Sequence, residues 1–231
     1  MGDKALYIDT TGLSLNLSVA IDGEVVFEES SGQQKIPHSR NLILEIDALL
    51  TKAQWSLPAL DYLVVLVGPG SYTGLRIGLA ATKAFALVFD RPIISINTLE
   101  ALACYHLSKT SRLLVPCLVA RSQEVYTAAF GPHASIDCLE SHSNQVIEID
   151  ALPRLLEQWP EVLTFGSGAL LHEKFLAKNS NIKVLPSGML GHEPHLPSVL
   201  RLAHGRYRAS LGMNAEALSA YYLRGPSLKI K

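Results

Sequence analysis

A chain of 231 residues is longer than one average domain and shorter than two ordinary ones. With 48% hydrophobic and 18% charged residues it has ample material for a buried core, which excludes a disordered chain. A formal net charge of -1 excludes an overall basic field able to hold nucleic acid by counterion release, so any RNA contact needs phosphate-binding groups from another protein.

Cys104, Cys117 and Cys138 are widely spaced and form no C-x-x-C pair, so reduced thiols are expected rather than a disulfide framework or a thiolate zinc site. The opening MGDKALYIDTT has no basic-plus-apolar signal architecture, and no run approaches the ~18 apolar residues of a membrane span. A cytoplasmic location without membrane contact follows as the expectation.

Residues 5–8 form a short apolar run that reaches Asp9 and then the turn Thr10-Thr11-Gly12. Leu13, Leu15, Leu17, Val19 and Ile21 then alternate with small or polar residues, the period-two pattern of a strand with one buried face. Asp22-Gly23 is a hairpin turn signal, and Val25 begins the returning strand. Pro37 opens a helix with Leu42, Ile43, Ile46, Leu49 and Leu50 at three- to four-residue spacing. Residues 62–67 are continuously apolar, as in a strand covered on both faces. The loop Gly68-Pro69-Gly70-Ser71-Tyr72-Thr73-Gly74 follows and leads into a helix to about Phe89. Residues 92–96 make another buried strand, and Thr98 is the expected N-cap of a helix to about Leu107, with Glu100 in its first turn. This order predicts a mixed sheet flanked by helices, of ribonuclease-H-like type.

Near residue 112 the series begins again. Residues 113–131 repeat the pattern of residues 5–23: strand, polar turn (residues 120–123), alternating strand, closing glycine. A third strand near 146–149, a helix from Ala151, an apolar run 162–165 into Gly166-Ser167-Gly168, a helix to about Ala177 and a strand 182–185 complete a smaller echo of the first lobe. Residues 187–198 read as a loop, and Pro197 starts a last helix to about Leu211. The expected fold is thus α/β, with two ribonuclease-H-like lobes, each a mixed sheet flanked by helices: residues 1–108, carrying partner-binding helices, and residues 109–231, carrying the C-terminal helix and tail.

Four constellations bear on chemistry. Gly68, Gly70, Ser71, Thr73 and Gly74 join a buried strand to a helix start and could aim backbone N–H groups at a phosphate, but the lysine of G-x-x-x-x-G-K-[ST] is missing, so a tight strand–helix turn is the favoured reading. Asp9, Thr10, Thr11 and Gly12 form a candidate vestigial phosphate site, because a matching acidic hairpin is lacking in the second lobe, where Val119-Ala120-Arg121-Ser122-Gln123 has no carboxylate before Glu124. The eight histidines contain no i, i+4 pair, and His192-Glu193-Pro194-His195 is broken by proline, so neither a metal site nor a cofactor is expected. Gly166-Ser167-Gly168 is too short for a nucleophile elbow, so no catalytic residue is assigned. The helix 74–89 is apolar or small nearly all round, with only Arg76 and Lys83 charged, which predicts burial on two sides. Leu42, Ile46, Leu49, Ile77, Gly78, Ala81 and Phe85 are the expected partner-facing residues, with burial beneath the second lobe as the alternative.

Asp9-Thr10-Thr11, Pro37-His38, the block G-P-G-S-Y-T-G-L-R-I-G at residues 68–78, Asn97-Thr98-Leu99 and Tyr222-Leu223-Arg224 together resemble the TsaB family, also called YeaZ. The match covers essentially the whole chain, most strongly residues 1–105. The family often shows Asp-Ala-Arg where this chain has Val119-Ala120-Arg121. The resemblance implies an actin-like fold and a non-catalytic subunit needed for threonylcarbamoyladenosine modification of tRNAs reading codons that begin with A. It implies pairing with the catalytic TsaD subunit through first-lobe helices, action with the TsaE ATPase, a homodimer when alone, and tRNA contact only through the complex. Two other classes stay open: an ATP-dependent enzyme or glycoprotease-type peptidase of the same fold, and a stand-alone regulatory homodimer.

Overall fold

The structure is a computed structural model that describes residues 2–31, 38–107, 109–131 and 142–222. Cys138, the expected helix opening at Pro37 and the tail residues Leu223 and Arg224 lie outside the described residues.

The chain divides into two compact units. The first comprises Met1–Thr98 and Leu196–Tyr221. Strands β1 (Lys4–Asp9), β2 (Asn16–Ile21) and β3 (Glu24–Ser30) pair antiparallel, and β4 (Tyr62–Leu66) and β5 (Ile93–Ile96) extend the sheet in parallel, in the order β3-β2-β1-β4-β5. Asp22 and Gly23 take positive φ (53° and 79°), the conformation that a two-residue hairpin following strand twist requires. Every residue of β4 is buried, as its unbroken apolar run predicted.

The alternation over 13–21 is only partly realised. Leu13 is 79% exposed in the turn before β2, and Ser18 and Ala20 on the opposite face are fully buried. Ser18 tolerates burial because its hydroxyl donates to the Phe27 carbonyl at 2.9 Å.

Helix α1 (His38–Lys52) and helix α2 (Tyr72–Phe89) pack against each other and supply Leu42, Ile46, Leu49, Leu50, Leu79 and Ala86 to the core that also holds Leu6, Ile8, Leu17, Leu63 and Val65.

The second unit comprises Leu99–His195 and Tyr222–Lys231. Its strands β6 (Leu113–Val119), β7 (Glu124–Ala129), β8 (His142–Glu148), β9 (Val162–Phe165) and β10 (Ile182–Val184) pair in the order β10-β9-β6-β7-β8. Read from the other edge, this is the first unit's order, with three antiparallel strands followed by two parallel ones. The decayed repeat is therefore a repeated lobe. It is smaller because α4 (Leu152–Leu155), α5 (Ser167–Leu171) and α6 (Glu173–Leu176) are only one or two turns each.

Two boundaries differ from the sequence reading. Helix α3 (Thr98–Ala103) is shorter than expected, and the division falls at Leu99 rather than after residue 108. Leu99, Leu102 and Ala103 pack with Leu114, Phe130 and Phe165 of the second unit. Helix α7 (Leu196–Arg208), assigned from the sequence to the second lobe, returns to the first. It packs on β3, β4 and β5, burying Val199, Leu200, Leu202 and Ala203, and Arg208 and Arg201 pair with Asp3 (3.2 Å) and Glu24 (3.0 Å). Beyond the helix, Met213 bridges β5 at Ile93, and Ala215 and Leu218 enter the first core.

Candidate functional site

The two loops singled out in the first lobe form one interlocked structure at the ends of β1 and β4. Ser71 donates its N–H to the Thr11 carbonyl at 2.7 Å, and the Thr10 hydroxyl donates to the Gly74 carbonyl at 2.7 Å. The Ser71 side chain caps α2 by accepting from the Gly74 N–H at 3.2 Å. A side chain at any of three glycines would collide with this turn. A Cβ at Gly70 would lie 2.5 Å from the Thr11 carbonyl oxygen, one at Gly74 would meet the Thr10 carbonyl, and one at Gly78 the Thr10 hydroxyl. The spacing Gly70, Gly74, Gly78 places the last two on one helical stripe that faces the turn.

Asp9 lies beneath this turn, 3% exposed. Its Oδ1 accepts from the Thr11 N–H (2.8 Å) and hydroxyl (2.7 Å), and its Oδ2 from the Asn16 amide (3.4 Å). Burial pushes the carboxyl above its ordinary range, while the hydrogen bonds from Thr11, Asn16 and Tyr7 pull it back. The N–H groups of Thr11, Ser71 and Gly74 are all donated within the turn. Gly12 and Thr73 are exposed and lie outside the interlock. The arrangement closes a strand–helix junction.

The second lobe repeats the device more loosely. Cβ atoms at Gly166 and Gly168 would meet the Cys117 carbonyl near the end of β6 at 2.6 and 3.0 Å, and Ser167 Oγ accepts from the Val119 N–H at 3.2 Å. The β6–β7 turn is closed by bonds between Arg121 and Glu124, with Arg121, Ser122 and Gln123 exposed. His192 Nδ1 accepts from the Gly166 N–H at 3.1 Å and Nε2 faces the Pro186 carbonyl at 3.0 Å, so both ring nitrogens are engaged inside the fold. Asp3, Asp22 and His204, far apart in sequence, bring one ligand-type atom each within 4.8 Å of the others. Arg208 already neutralises Asp3 there, and the group works as an ion-pair cluster under α7.

The expected partner-facing residues divide. Leu42, Ile46 and Leu49 are at most 2% exposed and face their own sheet, and Gly78 is buried against Thr10, so these four are corrected to core and turn positions. Ile77, Ala81 and Phe85 are half-buried at the edge of the core. The outward stripes carry different residues: Ile43 (54% exposed) and Leu44 (68%) on α1, and Ala80, Ala84, Leu87 (67%) and Val88 (72%) on α2. The i, i+3/i+4 spacing contained this second stripe, but apolarity on both sides of a helix gives no sign of which side faces the sheet. Thr98 does not cap α3 as expected, since its hydroxyl has no hydrogen-bond partner and its N–H donates to the Gly68 carbonyl at 2.9 Å.

Two sheets of one strand order, each with its first strand-end turn closed by glycines from the loop after the fourth strand, define an actin-like protein built of two ribonuclease-H-like lobes. A family model described as "TsaD: tRNA N6-adenosine threonylcarbamoyltransferase" matches residues 28–153. The tRNA threonylcarbamoyladenosine biosynthesis protein TsaB of Bacillus subtilis is 29% identical over 94% of this chain and 90% of its own. The TsaB of Haemophilus influenzae is 29% identical over 95% and 92%. YeaZ from Pseudomonas aeruginosa superposes with a TM-score of 0.76 at 21% identity, covering 96% of this chain and 100% of that one. The chain belongs to the TsaD-like family, in its TsaB (YeaZ) branch.

Proposed function

We propose that this chain is a non-catalytic subunit in the threonylcarbamoyladenosine modification of tRNAs that read codons beginning with A. In this reading it pairs with a TsaD-like catalytic subunit, works with a TsaE-like ATPase in the cytoplasm, and meets tRNA only within that complex. The observation that carries the reading is the outward side of the packed helices α1 and α2. Ile43, Leu44, Leu87 and Val88 are more than half exposed there, with small Ala80 and Ala84 permitting close approach of another backbone. Alone, the same face pairs two copies of the chain. Support for a role without turnover comes from the turn above Asp9, where the N–H groups of Thr11, Ser71 and Gly74 are donated to one another's residues and to Asp9. The names of the full-length TsaB relatives support the pathway, and a net charge of -1 fits a chain that does not hold tRNA by itself.

The test is Leu44→Glu combined with Leu87→Glu, both exposed and expected to leave the circular dichroism spectrum and unfolding midpoint unchanged. Affinity for a TsaD-like subunit, measured by sedimentation, is expected to fall about a hundredfold or more, on the order of 3 kcal/mol. Threonylcarbamoyladenosine in tRNA from cells relying on the variant should fall with it. Unchanged assembly by the folded variant would move the interface elsewhere. Steady ATP or peptide hydrolysis by the pure chain that drops in an Asp9→Ala variant would replace this reading with the enzymatic one.

A further inference from the structure

We infer that the second unit carries a binding site for a small organic anion, a phosphate or carboxylate joined to a flat or aliphatic body, on residues used by neither the glycine turn nor the helix face. A cavity of about 490 Å³ opens beside the ends of β9 and β10, within the size range of small-ligand pockets. Its floor is apolar: Leu163 and Leu185 are 6% and 7% exposed, and Pro186 adjoins them. Its rim holds Lys109, Arg112 and Lys183, no carboxylate is among its described lining residues, and Glu161 beside Arg112 leaves the two lysines as the cations a ligand would meet. In a chain with 21 acidic and 20 basic residues, that one-signed rim is a local choice and not a consequence of composition. Cations grouped around a low-dielectric floor focus their field into the cleft.

Two of the three cations are held in place. Lys109 Nζ sits 3.4 Å from the centroid of the Tyr105 ring, a cation–π contact. Arg112 Nε lies 3.6 Å from Glu161 Oε2, and its side chain is only 33% exposed. Lys183 projects from the edge strand β10.

The walls are fixed as well. Tyr105 and His106 follow α3, and the His106 ring packs on Phe165 with centroids 4.3 Å apart while its Nε2 faces the Gly191 carbonyl at 3.4 Å. Burial holds the His106 ring below the ordinary histidine range, so at neutral pH this wall adds no charge. The opposite wall, which brings Met189 and Leu190 to the mouth, is tied down by the two bonds of His192. Met189 and Leu190 are 56% and 66% exposed, aliphatic surface that a bound body would cover. A bare inorganic ion would meet the rim alone, whereas an organic anion satisfies rim and floor together.

Adenosine monophosphate and inorganic phosphate serve as the paired probes, titrated into the full chain at low salt by calorimetry and by amide chemical-shift mapping. The expected result is saturable binding of the nucleotide with a Kd below about 1 mM, inorganic phosphate at least about tenfold weaker, and shifts centred on residues 105–112 and 183–190. Lys109→Glu with Lys183→Glu, both exposed, should keep the circular dichroism spectrum and weaken the nucleotide by about tenfold or more. If that double variant were misfolded, Lys109→Ala would be read in its place, with a smaller loss in the same direction. No saturable nucleotide binding, phosphate binding as tightly as the nucleotide, or full affinity in a folded variant would each overturn the proposal.

Discussion

A Cβ on Gly78 would run into the Thr10 hydroxyl, which is itself donated to the Gly74 carbonyl. Glycine costs an exposed helix roughly 1 kcal/mol relative to alanine, so Gly78→Ala in a free helix would stabilise. Here the added methyl must displace a buried, hydrogen-bonded threonine, an overpacking cost of about 1–3 kcal/mol together with a lost bond. The expected net result is destabilisation by about 1–2 kcal/mol in urea unfolding. Pairing it with Thr10→Ala removes the colliding hydroxyl, so the double variant should be less damaged than the sum of the singles; strict additivity would show that the two do not meet.

His106 carries a pH prediction. It is 5% exposed, and desolvation, opposed by the Gly191 carbonyl and assisted by Lys109 and His192, lowers its affinity for a proton. The unfolded chain therefore takes up a proton below about pH 6.5 that the folded chain refuses. Stability is flat above that pH and falls as pH drops toward the lowered folded value, by at most ~1.4 kcal/mol per unit for this one group. Unfolding midpoints of the natural chain and His106→Gln at pH 7.5, 6.5 and 5.5 should show a shallower acid slope in the variant; parallel slopes would assign the acid sensitivity to other groups.

Helix α2 shows how an element can be legible in outline and misread in orientation. Its bounds follow from Ser71 at the N-cap and the left-handed Asp90 (φ 51°) at its end, local signals that sequence inspection can use. Its lack of a polar face predicts demand on both sides. One demand is internal: Leu75, Leu79, Thr82 and Ala86 are buried, with Gly74 and Gly78 under the β1 turn. On the other side the stripe through Ala80, Ala84, Leu87 and Val88 is exposed, and it is the face proposed above for a partner. Small residues in a helix signal a close neighbour without identifying it, and the neighbour of Gly74 and Gly78 is Thr10 rather than a partner. On α1 the same ambiguity assigned Leu42, Ile46 and Leu49 outward, although the larger, regularly spaced residues of an amphipathic helix belong to the core.

Helix α7 links the end of the chain to its beginning. It lies in sequence after the second lobe, yet its buried face packs on β3, β4 and β5, Ala215 and Leu218 beyond it enter the first core, and its arginines reach Asp3 and Glu24. Deleting residues 196–222 should leave the first unit unable to bury β3, β4 and β5 on that side. Limited proteolysis of the truncated chain is expected to retain peptides from residues 99–195 and to degrade residues 1–98. Equal protection of both regions would show that α7 is dispensable to the first unit.

Strand and helix positions, the hairpin at Asp22-Gly23, the glycine block and the repetition of the lobe were written in local patterns, because periodicity, turn chemistry and capping act over a few residues and need no knowledge of what packs where. The interlock of Thr10 with Gly74 and Gly78, the inward side of α1, the return of α7 to Asp3 and the approach of Lys183 to Lys109 and Arg112 around one cavity join residues dozens to 205 positions apart. Such pairings depend on the order in which strands meet and on the side each helix turns toward its sheet. Those choices are made by burial summed over the whole core, to which no single stretch of sequence has access.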